Sequence, residues 1–208
     1  MLIIYDFTPR ITIFTYNITT LESLLIYAMK TITYQSDYLG NGFEFATINQ
    51  PDDYEGKVVA TVIRKQCSMP GNKAVLYVHG FNDYFFQSDM AHRFNEKEYH
   101  FYAIDLRKYG RSTLPHHKSN NMRSLTEYFA DLDEALEIIR QEGNEQVLLS
   151  GHSTGGLLVT LYASERVGNE KFDAIFCNSP FYDMNMQKKQ KRLLIPFVAF
   201  IGKLFPKM

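Results

Sequence analysis

The feature that most constrains this chain is a tight bend encoded by Gly151-His152-Ser153-Thr154-Gly155. An apolar run at 147–149 precedes the bend, and a helical run at 154–167 follows it. Glycines two positions before and after a serine let a strand reverse into a helix where larger side chains would collide. In this strand-to-helix context the pattern predicts a strained turn that exposes the Ser153 hydroxyl above a sheet. The alternative is a glycine-rich turn with an incidental serine.

The rest of the chain alternates strand and helix patterns from residue 43 onward. Strands are predicted at 43–48, 57–64, 74–78, 99–104, 147–149 and 172–177, and helices at 88–95, 124–141 and 154–167. The first two strands, separated by a turn cluster at 49–53, predict an antiparallel hairpin. The others predict a mostly parallel sheet that is covered by helices on both faces. Ser124 and Glu127 have the spacing of a capping box at the start of the longest helix, and Gly143 is placed to end it.

Composition limits the possible function. The 208 residues carry 22 basic and 23 acidic side chains, which gives no electrostatic basis for binding nucleic acid. Six histidines and two cysteines form no metal-binding pattern, so neither a metal nor a cofactor is expected. Cys67 and Cys177 predict reduced thiols in a cytoplasmic protein.

The two ends of the chain differ from its centre. Residues 1–28 have interrupted apolar runs too short to span a bilayer, and we interpret them as a non-native or upstream extension, with Met29 as the natural initiator. A degenerate signal or anchor segment is the alternative. Residues 29–185 are predicted to be the N-terminal part of one catalytic domain. Residues 186–208 are predicted to begin a cap segment.

Several motifs together resemble one known family. They are Tyr77-Val78-His79-Gly80-Phe81-Asn82-Asp83, Asp105-Leu106-Arg107-Lys108-Tyr109-Gly110-Arg111-Ser112, Gly151-His152-Ser153-Thr154-Gly155-Gly156 and Asn178-Ser179-Pro180-Phe181. In this order they resemble the serine aminopeptidase and monoacylglycerol lipase–lysophospholipase branch of the α/β-hydrolases. The resemblance implies an α/β-hydrolase fold and hydrolysis of small or lipid-like carboxylic esters through an acyl-enzyme on Ser153. A peptidase parent is the variant left open.

The resemblance also implies roles for individual residues. The main-chain N–H groups of Phe81 and Thr154 would form the oxyanion hole, and Gly151 and Gly155 would support the turn. His79 and Gly80 would brace the loop that carries Phe81. The family usually has glycine where this chain has Lys108, which leaves the conformation of that loop open.

One catalytic group is missing from the pattern. The family order is nucleophile, acid, histidine, yet His152 is the last histidine in the sequence. Asp183, just after the last predicted strand, is kept as an alternative acid. His116 and His117, in a polar loop, are interpreted as solvated surface. The expectation is therefore a C-terminally truncated hydrolase fold, lacking its last strands, whose chain is inactive alone.

Two further interactions are predicted. The strand at 172–177 would be an open edge with apolar faces, which favours self-association. The segment 188–205 begins with basic residues and continues with apolar ones. Weak contact with a membrane is therefore the alternative to a cap element. A non-catalytic fragment or pseudoenzyme that binds a ligand or partner is the second hypothesis for function.

Overall fold

A computed structural model describes residues 32–168 and 171–204, and the structural statements below refer to those residues. The predicted extension at 1–28 lies outside them, so the interpretation of that segment stays a prediction.

The described part of the chain contains seven strands and four α-helices. The strands are β1 (Gln35–Ser36), β2 (Glu44–Asp53), β3 (Gly56–Lys65), β4 (Lys73–Val78), β5 (His100–Asp105), β6 (Gln146–His152) and β7 (Ala174–Asn178). The helices are α1 (Ser88–Asn95), α2 (Phe129–Gln141), α3 (Thr154–Glu165) and α4 (Lys188–Leu204), with short 3₁₀ turns at Gly110–Ser112 and Leu125–Tyr128.

The strands form one mixed sheet in the order β1-β2-β3-β5-β4-β6-β7. β1, β2, β3 and β5 pair antiparallel in succession, whereas the β5–β4, β4–β6 and β6–β7 pairs are parallel. The predicted hairpin and the parallel strands that follow it are confirmed. The two-residue strand β1 was not predicted, because two residues show no alternation that could be recognised.

The turn of the hairpin was predicted in the wrong place. β2 continues through the cluster at 49–53, and the chain turns at Tyr54 and Glu55, where the Glu55 N–H donates to Asp53 Oδ1 at 2.7 Å. Gly56 supplies the positive φ of 96° that this turn requires. Pro51 is tolerated in the strand because the β2–β3 register shifts between Gln50 and Asp53, and such bulges accept a residue without an N–H.

The predicted helix at 124–141 has a different first turn. The capping box is present, since Ser124 Oγ accepts from the N–H of Thr126 and Glu127 accepts from the N–H of Ser124 at 3.1 Å. The turn that it caps is 3₁₀, and regular α-helix begins only at Phe129. Gly143, with a φ of 88°, lies just past the end of α2, as predicted.

Helices cover both faces of the sheet. Alternate residues of β4 and β5 pack on one face with α1 and with the aromatic rings of Phe43 and Phe85. On the other face, the Tyr102 hydroxyl donates to Glu142 at the end of α2 at 2.6 Å. Phe129 of α2 and Tyr162 of α3 pack edge to face, with ring centroids 5.3 Å apart, so these two helices form one layer.

Charged side chains fix the loop after β5. Arg107 forms a bidentate pair with buried Asp131, and Lys108 pairs with Asp53 at 2.6 Å and Glu55 at 2.8 Å. Lys108 has a φ of 66°, a conformation that glycine adopts without steric cost. The departure from the family pattern therefore leaves the backbone turn in place, and the lysine ties it to the β2–β3 turn.

The far end of the sheet is exposed. Ile175 and Phe176 of β7 are 43% and 54% exposed, and none of the described side chains of α4 is buried. Among the described helices, none is long and apolar enough to cross a membrane.

We expect this edge to cause self-association. At micromolar concentration the chain should sediment as a dimer or larger species, and Phe176→Lys should shift it toward monomer because a charge on an edge strand opposes pairing. Val167→Lys is the matched control, since Val167 is also exposed but lies outside β7 and α4. A monodisperse monomer for the unsubstituted chain would contradict the expectation.

Candidate active site

Ser153 occupies the sharp turn between β6 and α3. Its φ of 53° and ψ of −118° lie in a region that costs a non-glycine residue about 1–3 kcal/mol. Hydrogen bonds from the last residue of β7 and from the segment after β7 hold this conformation. The Ser153 N–H donates to the Asn178 carbonyl at 3.1 Å, and the Ser153 carbonyl accepts from the Phe181 N–H at 2.9 Å.

Glycines make the turn sterically possible. A Cβ at Gly151 would collide with the carbonyl of Gly155, and a Cβ at Gly155 would collide with the carbonyls of Val78 and His79. A Cβ at Gly156 would lie 2.8 Å from Pro180 Cβ. The turn is therefore packed against both β4 and the segment after β7.

Two main-chain N–H groups lie beside Ser153. Thr154 is the first residue of α3, where the N–H has no partner within the helix and the helix dipole favours negative charge. The Gly80–Phe81 peptide approaches from the other side, since a Cβ at Gly80 would lie 3.2 Å from Ser153 Cβ. The Phe81 N–H forms no hydrogen bond with another described residue.

His79 orients this second peptide. Its Nε2 lies 3.2 Å from the Leu106 main-chain nitrogen, which can only donate, so Nε2 accepts and Nδ1 carries the proton. Nδ1 then donates to the Gly80 carbonyl at 2.8 Å. Because that carbonyl and the Phe81 N–H belong to one planar group, this hydrogen bond also sets the direction of the N–H. Burial lowers the pKa of the His79 imidazole below its usual value, which keeps the ring neutral.

A second anchor holds the end of the same loop. Buried Asp105 accepts from the Phe85 N–H at 2.8 Å and from the Arg111 N–H at 2.9 Å. The Arg111 guanidinium donates to the Phe85 carbonyl at 2.9 Å and pairs with Asp105 and with Asp37. Of the aromatic run at 81–86, Phe85 thus belongs to the core, whereas Phe81, Tyr84 and Phe86 are exposed.

A small apolar cavity of about 30 Å³ adjoins the two N–H groups. Phe81 and Thr154 both line it, together with Leu106, Met122, Leu125 and Leu158.

The predicted alternative acid lies apart from any imidazole that could use it. The Asp183 carboxylate is 70% exposed and is bound by Lys191 and by the Met184 N–H. The hydrogen bond from Lys191 lowers the pKa of Asp183 below its usual value. Among the described residues, no histidine forms a hydrogen bond with Asp183 or with the Ser153 hydroxyl.

The other histidines near this region have their own partners. His152 Nδ1 lies 3.2 Å from the Asn178 carbonyl, so its ring contacts the end of β7. His116 and His117 both direct Nε2 at the Lys57 carbonyl, at 3.0 and 2.9 Å. The interpretation of these two as solvated surface is incomplete, because they also fasten their loop to β3.

Sequence reasoning missed the contribution of Asn178 and Phe181. Both act through main-chain atoms, which leave no residue-type signal. The only hint was the run Asn178-Ser179-Pro180-Phe181, which was recognised as a family motif without a physical role.

The fold and the strained serine define a protein of the α/β-hydrolase class. Residues 70–208 match the family model Hydrolase_4, described as serine aminopeptidase, S33, and the chain belongs to this family.

Solved structures share the fold. A thermostable carboxyl esterase from Bacillus coagulans superposes with a TM-score of 0.60 at 16% identity, over 76% of this chain and 51% of that one. The monoglyceride lipase of Saccharomyces cerevisiae superposes with a TM-score of 0.54 at 17% identity, over 87% of this chain and 56% of that one. The monoacylglycerol lipase of Paleococcus ferrophilus superposes with a TM-score of 0.55 at 24% identity, over 71% of this chain and 53% of that one.

Curated relatives match a shorter stretch. Epoxide hydrolase 4 of Mus musculus is 31% identical over 93 residues, which is 45% of this chain and 24% of that protein. The human protein of the same name is 30% identical over the same length. The chain thus spans about a quarter of these relatives and about half of the solved structures.

Because the turn is tightly packed, we expect one methyl group added at Gly155 to lower the free energy of unfolding strongly. Gly155→Ala should lower the free energy of unfolding by about 3 kcal/mol, since the new Cβ would overlap two carbonyl groups of the β4 end. Gly202→Ala in α4 is the control, because its Cβ would meet nothing within 4 Å, and it should be neutral or slightly stabilising. Urea unfolding compares the two, and equal stabilities would contradict the packing argument.

Because His79 is held neutral, we expect the free energy of unfolding to fall in acid. Because its folded-state pKa is depressed, the unfolded chain takes up the proton first, so stability falls as the pH drops below about 6.5. The slope from this one group is at most about 1.4 kcal/mol per pH unit. Urea unfolding between pH 7 and 5 should show a shallower fall for His79→Asn than for the unsubstituted chain. Parallel curves would mean that His79 is not held neutral.

Proposed function

We propose that this chain carries the nucleophile of a serine hydrolase that cleaves carboxylic esters through an acyl-enzyme on Ser153. The observation that carries the proposal is the strained turn at Ser153, with the Thr154 N–H and the Gly80–Phe81 peptide beside it. Donors preset at the position of a developing oxyanion are among the largest contributions to acyl transfer.

The chemistry follows from these positions. Ser153 Oγ bonds to the ester carbonyl carbon and passes its proton to water, while the N–H groups of Phe81 and Thr154 bind the oxyanion. When the intermediate collapses, the bond to the alcohol oxygen breaks and the alcohol leaves with a proton. Water then attacks the acyl-enzyme, which releases the carboxylic acid and restores the Ser153 hydroxyl.

The described residues place no base at the Ser153 hydroxyl to transfer its proton. Since no described histidine forms a hydrogen bond with the Ser153 hydroxyl, we expect acylation by activated esters and slow deacylation. The same observation favours the second candidate, a non-catalytic module that binds a ligand or partner at this cleft. Amide hydrolysis, named in the family description, is a variant of the first.

We also propose a cytoplasmic location and weak contact with a membrane. Cys67 and Cys177 are free thiols, which supports a cytoplasmic location. The exposed apolar residues of α4, which include Leu193 and Phe197, and the lysines that precede them support weak contact of 188–205 with a membrane.

An activated ester tests the nucleophile directly. 4-Nitrophenyl acetate needs no protonation of its leaving group, so incubation should give a single acetyl adduct on Ser153, seen by intact mass and peptide mapping. Removing one oxyanion donor typically costs about 10²–10³-fold, so we expect Ser153 to react at least about 10²-fold faster than an ordinary serine.

Two alanine variants make the test specific. Ser153→Ala should abolish the adduct, whereas Ser164→Ala should retain it. Ser164 is a fair control because it is exposed and lies near the other end of α3, where its hydroxyl donates to the Leu161 carbonyl at 2.7 Å. Acetylation that is unchanged in Ser153→Ala would reject the proposed function, and absence of any acetylation would favour the binding module.

A further inference from the structure

We infer that the cavity lined by Phe81 and Thr154 binds the acyl group of the substrate and limits it to short chains of about two to four carbons. The inference rests on the proposed function, and it adds a substrate class to it.

The position of the cavity connects it to the nucleophile. Its lining includes both residues whose N–H groups are proposed to bind the oxyanion, and it also includes Gly80, which approaches Ser153 Cβ. An ester carbonyl with its oxygen at these N–H groups has one substituent on the alcohol side and one on the acyl side. The chain attached to the carbonyl carbon can therefore enter a cavity that begins at the same two residues.

The lining determines the chemical class. Leu106, Met122, Leu125 and Leu158 form apolar walls, and the aromatic residues Tyr109 and Tyr128 complete them. The described residues that line the cavity include no acidic side chain, no lysine and no arginine. A hydrocarbon chain gains free energy on entering such a space, whereas a charged or strongly polar group would lose its hydration.

The volume sets the length. A water-sized group needs at least about 10–15 Å³ of such space, so a cavity of about 30 Å³ holds two or three of them. Two or three methylene or methyl groups beyond the carbonyl carbon would fill it. A longer chain would need more room than this volume provides, and among the lining residues Leu158 is 1% exposed and packed in the core.

Water is the competing occupant. Tyr128 lines the cavity and is 2% exposed, and its hydroxyl has no hydrogen-bond partner among the described residues. The two occupants make different predictions, since a cavity that serves only water leaves the acyl preference of Ser153 unaffected.

A series of 4-nitrophenyl esters tests the inference. The rate of adduct formation on Ser153 is measured for acetate, propanoate, butanoate and hexanoate, each divided by the rate of its hydrolysis by hydroxide. We expect the normalised rate to rise by up to about fourfold per added carbon as far as butanoate, because each buried methylene is favourable. It should then fall at least about tenfold for hexanoate.

Substitutions at Met122 change the space without touching the nucleophile. Met122 is partly exposed, so both variants should fold. Met122→Trp should lower the butanoate rate relative to acetate, and Met122→Ala should raise the hexanoate rate. Met90→Ala, at a partly buried methionine on α1, is the matched control and should leave the profile unchanged.

The outcomes separate the two claims. If Ser153 is acylated but hexanoate reacts as fast as butanoate, or neither Met122 variant alters the profile, the acyl-cavity inference is wrong and the proposed function stands. If no ester acylates Ser153, both are rejected.

Discussion

The positive φ of Ser153 is the constraint on which the site depends. A non-glycine residue in that conformation is unfavourable by itself, so the surroundings must over-determine it. They do so from two directions. The end of β4 packs so closely against Gly155 that a Cβ there would collide with it. The end of β7 and the segment after it bond the N–H and the carbonyl of Ser153. The strand at the exposed edge of the sheet therefore takes part in holding the turn at Ser153, although none of its side chains is proposed to react.

The second half of the site is supported independently. The Gly80–Phe81 peptide depends on neutral His79, and the end of its loop depends on the Asp105–Arg111 pair. Both supports are buried, and the two differ in kind. A buried neutral imidazole makes the fold less stable as the pH falls below about 6.5, because the unfolded chain then binds a proton that the folded chain does not. The orientation of the two N–H donors therefore depends differently on pH. Helix geometry fixes the N–H of Thr154, whereas the titratable ring of His79 fixes the N–H of Phe81.

Sequence reasoning located the elements that carry strong local signals. Helix α1 and the start of α3 were predicted at the residues where they occur, because apolar spacing and the glycine-serine pattern are local. The hairpin turn was misplaced, since Pro51 and its polar neighbours have turn composition while the actual turn is decided by Asp53 and Gly56. The main-chain hydrogen bonds of Asn178 and Phe181 with Ser153 could not be predicted from the sequence, because such bonds between distant segments depend on topology and not on residue type.

The arrangement also separates two tasks that a complete hydrolase performs together. The segments 79–81, 151–156 and 178–181 shape the serine and the groups beside it, and all three lie within the described chain. Proton transfer would require an imidazole that these segments do not supply. In serine hydrolases that have lost triad members, oxyanion and binding contributions retain about 10³–10⁴-fold acceleration over water. On the proposed function, the described residues should therefore discriminate among esters by their acyl chain, because that discrimination depends on the shape beside the N–H donors and not on the base.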